Sequence, residues 1–209
     1  MNKLLAMGLS VVFHPLLMPS YLYYVVCYQL SGVVLHPLLP ERWVVLGTVV
    51  LFTLVLPTLG TGALYALGLI DSVQLRKRQQ RTWPFLLATV SFAAAAVVLW
   101  QPHRFDALLS YIIAGMAVAV ALTFVVTLRW QISAHGVGVG GATAWLALLS
   151  LKSGTSSPAL GWLVGFSLIA WAVVSARLAL NAHTPAQVWA GLALGVGVAL
   201  GFGLGLYVL

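Results

Sequence analysis

Charge is so sparse along this chain that its spacing dictates the class of fold. The 13 Asp, Glu, Lys and Arg residues leave uncharged runs over 4–40, 43–70, 82–103, 107–128, 130–151, 153–176 and 178–209, each at least 22 residues long. A helix crossing a bilayer needs roughly 20 apolar residues, so every run is long enough to cross once. Composition excludes a water-soluble domain: 62% of residues are hydrophobic, 6% are charged and mean hydropathy is +1.05. Without water in the bilayer core, each run must satisfy its backbone hydrogen bonds internally, which selects helix. The expected fold is therefore all-α, a polytopic membrane helix bundle of six or seven spans forming a single membrane domain over 1–209.

The N-terminal run differs from the rest. Lys3 followed by apolar residues has the look of a signal peptide, but FHPLLMPSY interrupts it and no small-residue cleavage site follows. The His14-Pro15 pair should break a short interfacial or re-entrant helix over 4–14. Residues 1–40 then supply this element plus an extra span at about 17–35, and 43–209 form the core. Cys27 is the only cysteine, so neither a disulfide framework nor a thiolate metal site is expected.

Alternating the spans puts loops 70–83, 129–134 and 178–184 on one face. That face carries Arg76, Lys77, Arg78, Arg81, Arg129 and Arg177 with His135 and His183, against Asp71 alone. The other face carries Arg42, Arg104 and Lys152 against Glu41 and Asp106. A literal count of positive charge would make the first face cytoplasmic. Several of its cations are candidate ligand residues, however, so the count assigns no orientation. The formal net charge of +7 does not point to nucleic acid, because no soluble domain presents the basic residues. An anionic lipid headgroup suits them better.

Three clusters on that face carry the chemistry. The first is DSVQLRKRQQRTWPF at 71–85, with Lys77, Arg78 and Arg81 ahead of Pro84, a residue suited to a first helical turn. In the second, RWQISAHGVGVGG at 129–141, Ser133 is placed to cap a helix whose first turn holds His135. The third is ARLALNAHTPAQ at 176–187. Arg177 and His183 would lie on different sides of one straight helix, and a break between them resolves this. Thr184, Pro185 and Gln187 form the N-cap, first residue and capping-box partner of a new helix. Arginine forks, histidines and helix N-termini gathered at one membrane surface suit phosphoryl chemistry, which depends on positioning and charge stabilisation. Asp71 alone could not build the oxygen-ligand site that magnesium prefers, so no metal and no other cofactor is expected.

These residues resemble the type 2 phosphatidic acid phosphatase superfamily of integral membrane lipid phosphatases. That family carries Lys, six residues, Arg-Pro; then Pro-Ser-Gly-His; then Ser-Arg, five residues, His, three residues, Asp. Here the third pattern is Arg177, five residues, His183; the second is Ser133-Ala134-His135; the first is the looser Arg81-Thr82-Trp83-Pro84 preceded by Lys77 and Arg78. The resemblance covers roughly 71–195 and implies a six-helix core. It implies His183 as the nucleophile that forms a phosphohistidine, and His135 as the group that protonates the leaving group and then activates water. Arg81 and Arg177, with Lys77 or Arg78, would hold phosphate oxygens, and Ser133 would donate to one. The chain departs from the family at Gln187, which replaces the Asp that orients the nucleophile, and at Ala134 and Ile132. Arg81 also does not abut Pro84.

The resemblance leads to a metal-independent hydrolase acting on a lipid phosphate or polyprenyl diphosphate in a bacterial inner membrane. The alternatives are a weak or inactive relative that binds or carries phospholipids, and a lipid phosphotransferase. Six glycines between Gly191 and Gly205 favour close helix packing, within the bundle or between copies of the chain in a homo-oligomer.

Overall fold

The computed structural model describes residues 1–75, 77–101, 103–153 and 158–208; Arg76, counted above among the cations, lies outside them. Among the described residues six helical segments are long and apolar enough to cross a membrane, making the chain a polytopic helix bundle and an integral membrane protein. The first crossing joins α3 (Arg42–Val50) to α4 (Leu56–Ala66) through a π-helical turn at Leu51–Val55. Pro57 cannot donate a backbone hydrogen bond, and the widened turn just before it accommodates that loss. The Phe52 carbonyl in this turn accepts from Ser91 Oγ at 2.5 Å. The other crossings are α5 (Thr82–Leu99), α6 (Ala107–Thr127), α7 (Ala134–Ser153), α8 (Pro158–Ala179) and α9 (Pro185–Val208).

The expected span at 17–35 takes a different form. The chain begins with α1 (Lys3–Val12), capped by Asn2 Oδ1 on the Leu4 N–H, and turns at His14-Pro15. It continues as the seven-residue α2 (Met18–Tyr24), a π-helical turn at Val25–Gln29 and an irregular stretch to Leu38. This segment passes through the bundle: Met18 packs on Gly138 near one end, and Tyr23 Oη donates to the Leu109 carbonyl near the other. Leu22, Tyr23, Val26 and Cys27 are fully buried. Irregular backbone at membrane depth is tolerated only where protein covers it. Two opposite-face charges satisfy its backbone: Asp106 accepts from the Leu35 and His36 N–H groups, and Arg42 donates to the carbonyls of Cys27, Val34 and Pro37.

α7 is the central helix. It is the least apolar of the six and has 67% of its apolar window buried, against 39% or less for the others. Its small residues let α9 approach backbone to backbone. A Cβ on Gly140 would meet the Leu192 carbonyl at 2.7 Å, and one on Gly191 or Gly195 would strike the carbonyls of Ser133 or Val137. The seam runs parallel, so both helices start at the same face. There the Ser133 N–H donates to the Gln187 carbonyl at 3.1 Å. Gly191, Gly195 and Gly203 are thus packed inside the bundle, and Gly197 and Gly201 open onto unoccupied space.

Candidate functional site

The start of α9 is built locally. α8 ends at Ala179, and Asn181 adopts φ +50°, the left-handed conformation that Asn tolerates better than most residues. This turn brings His183 back beside Arg177. Thr184 Oγ1 accepts from the Gln187 N–H at 3.4 Å, and Gln187 Oε1 accepts from the Thr184 N–H at 3.1 Å, completing the capping box. The same Oε1 lies 3.2 Å from His183 Nδ1. Because the Thr184 N–H can only donate, it fixes which way the Gln187 amide points. His183 must therefore donate through Nδ1–H, which leaves the lone pair of the neutral ring on Nε2.

His183 is 8% exposed, and its pKa is lowered to about 4. Burial is the largest cause, followed by the positive charges of Arg81 and Arg177; hydrogen bonds to Gln187 and to the Gln131 backbone oppose them without prevailing. The ring is neutral at pH 7.

The start of α7 supplies the second histidine. Ser133 is fully buried, and its Oγ accepts from the Gly136 N–H at 3.3 Å, the N-cap geometry. His135, one residue into the helix, has Nε2 at 3.0 Å from the Ser10 carbonyl. A carbonyl only accepts, so this nitrogen carries the proton. His135 lies within electrostatic reach of Arg177, His14 and His183.

Two arginines complete the cluster. Arg81 is 8% exposed, and its Nε donates to the Leu75 carbonyl at 2.8 Å, where Leu75 turns at φ +50°. Arg177 Nη1 donates to Ser10 Oγ at 3.3 Å, whereas its Nε is buried with no partner among the described residues. Leaving such a donor unsatisfied costs about 1–3 kcal/mol, a penalty that an anionic ligand would relieve. The two guanidinium groups interact electrostatically with each other. Their charge adds to the positive ends of two parallel helix dipoles.

Two sequence candidates are engaged elsewhere. Arg78 Nη1 donates to the carbonyls of Thr127 and Leu128, so it caps the C-terminus of α6, where orphan carbonyls need donors. Lys77 is exposed and pairs with Asp71 at 2.7 Å. Neither side chain reaches the histidines, because the short helical turn Arg78–Arg81 turns only Arg81 inward. The cluster comprises Arg81, Ser133, His135, Arg177, His183 and Gln187. Beside it lies an open hollow of about 580 Å³, lined by Gln131, Leu178, Asn181, His183, Thr184 and Gln187.

Sequence reasoning missed Ser10 and His14. The His14 ring stands edge-on to His135, with centroids 5.6 Å apart. The signal was present: a polar His-Pro break in an apolar run, one crossing before the opposite-face loop, belongs to the same face as the three clusters.

Comparison with family models, with curated proteins and with solved structures returns no match.

Proposed function

We propose that this protein is a lipid phosphatase of the bilayer, hydrolysing a lipid phosphate or polyprenyl diphosphate through a phosphohistidine on His183, without a metal. The observation that carries this reading is His183 itself: a neutral ring, its Nδ1–H held by Gln187, feels the charges of Arg81 and Arg177 and has no carboxylate partner among the described residues. Nε2 attacks phosphorus while the phosphorus–oxygen bond to the lipid breaks. Arg81, Arg177 and Ser133 bind the equatorial oxygens. Because His135 Nε2–H is bound to the Ser10 carbonyl, its free Nδ1 relays the proton of the substrate's monoanionic phosphate to the leaving oxygen. Nδ1 then takes a proton from the attacking water and passes it to the departing phosphate as the phosphorus–nitrogen bond breaks. The substrate arrives laterally in the membrane, which we place as a bacterial cytoplasmic membrane. The resemblance to the type 2 phosphatidic acid phosphatase superfamily supports this assignment through Arg177, His183, Ser133 and His135.

A second reading has its own observation. Lys77 and Arg78 are engaged away from the cluster, and Gln187 brings no charge to stabilise the imidazolium. A site of this kind can bind a phosphate headgroup and turn it over slowly or not at all. The deciding experiment measures phosphate release by purified protein from a panel of lipid phosphates, with and without EDTA, and traps the acid-labile phosphoenzyme. Release that survives EDTA and vanishes in His183→Ala supports the phosphatase. Binding without release by any substrate favours the carrier.

A further inference from the structure

The N-terminal helix and turn lie against two residues of the cluster at once. Ser10 presents its carbonyl to His135 Nε2 and its hydroxyl to Arg177 Nη1, and His14 stands edge-on to the His135 ring. The element is wedged in place. Ala6 is fully buried, Tyr21 Oη donates to the Val12 carbonyl at 2.9 Å, and the Phe13 and Tyr21 rings pack edge to face. Across α7, Gly138 packs closely against this turn: a Cβ there would lie 3.3 Å from Met18 and 3.5 Å from Pro15. His14 is itself held, its Nδ1 accepting from the Leu16 N–H at 3.3 Å. Partial desolvation and the charge of Arg177 lower its pKa, although the residue as a whole is exposed.

We infer that Ser10 and His14 are positioning residues of the anion site. Ser10 fixes the His135 tautomer and orients Arg177, and the His14 ring prevents His135 from rotating off the Ser10 carbonyl. Two side chains on different helices are thereby aimed by one residue of a third element. Without that element, the imidazole of His135 would exchange between tautomers and the Arg177 fork would sample other rotamers. The inference rests on reading this face as an anion site, and does not require turnover.

The test uses full-length protein in nanodiscs, with ¹⁵N-labelled histidine and inorganic phosphate as the probe. Two substitutions separate the ring from the turn. His14→Phe keeps the ring and loses the bond to Leu16; His14→Asn keeps an acceptor for Leu16 and loses the ring. In wild type and His14→Phe, His135 should hold a single Nε2–H tautomer, with phosphate affinities within about twofold of each other. His14→Asn should mix the tautomers and weaken phosphate about five- to tenfold, the effect of one lost packing or hydrogen-bonding contact. Ser10→Ala should weaken phosphate by about two- to fivefold as Arg177 loses its acceptor. An unchanged tautomer and affinity in His14→Asn would overturn the inference, as would equal loss in both His14 variants. So would tighter binding by Ser10→Ala, since Ser10 would then be a competing occupant. If wild type binds no phosphate but the His135 tautomer still depends on the His14 ring, the positioning stands and the anion reading fails.

Discussion

Gln187→Glu is the most informative single change in this molecule. Gln187 Oε1 accepts from both the Thr184 N–H and His183 Nδ1, so Glu, of equal length, keeps both contacts and adds only charge. Asp would supply the charge one methylene shorter and would have to give up one bond. At about 4 Å between charge centres and an effective dielectric of about 20, the carboxylate and an imidazolium attract by roughly 4 kcal/mol. Solvent in the open hollow beside Gln187 screens the pair by about half, leaving ~2 kcal/mol, or 1–2 pKa units. The His183 pKa should rise from about 4 to roughly 5–6, still neutral at pH 7 and so still nucleophilic. The same ~2 kcal/mol stabilises the cationic ring formed on attack, so kcat should rise about thirtyfold. An upper bound comes from serine proteases, where removing the equivalent charge costs about 10⁴ in rate. Phosphate release from phosphatidate in mixed micelles, followed from pH 4 to 8, measures both effects. If the acid limb moves upward while kcat stays flat or falls, the carboxylate contacts His183 but the reaction does not use that ring as nucleophile. The proposed mechanism would then be lost, and the lipid-binding reading would lead.

Other expectations follow from particular contacts. His183→Ala should abolish turnover while preserving the melting temperature within about 5 °C, because the ring is partly balanced by its own desolvation; turnover that persists would exclude the phosphohistidine. Gly195→Ala should destabilise the bundle by more than about 1–3 kcal/mol, because its Cβ strikes the Val137 backbone. Gly197→Ala, with open space around it, should change little, and equal melting temperatures for the two would refute the seam. Lys77→Ala should leave phosphate release unchanged, since that side chain is exposed and paired with Asp71; a large loss would return Lys77 to the site. His183 has a folded pKa near 4 against an ordinary 6.5, so the unfolded chain binds the extra proton between those values. Its contribution to stability is present above about pH 6.5 and is lost as pH falls towards 4. Melting temperature against pH should show that slope in wild type and less of it in His183→Gln.

Some of this architecture can be read along one dimension. Span length, the face on which each loop emerges and the capping box at Thr184–Gln187 depend on residues close in sequence. Bilayer thickness and helix-end chemistry therefore make them legible without a fold. Arg177, Ser133, His135 and His183 were placed on one face by that counting alone. Which cations turn inward is a different matter. Arg78 finds the end of α6 some 50 residues away, and Arg81 turns inward on a carbonyl presented by the left-handed Leu75. Ser10 reaches His135 across 125 residues and Arg177 across 167. Residues 17–35 have the composition of a span, but became a covered, broken crossing because Asp106 and Arg42 satisfy their backbone. Apolar length is a property of a segment, whereas the partner of a polar group is decided only when distant segments pack. The sequence therefore determined the membrane bundle and the face of its charges, and tertiary packing decided which of those charges are free to meet a ligand.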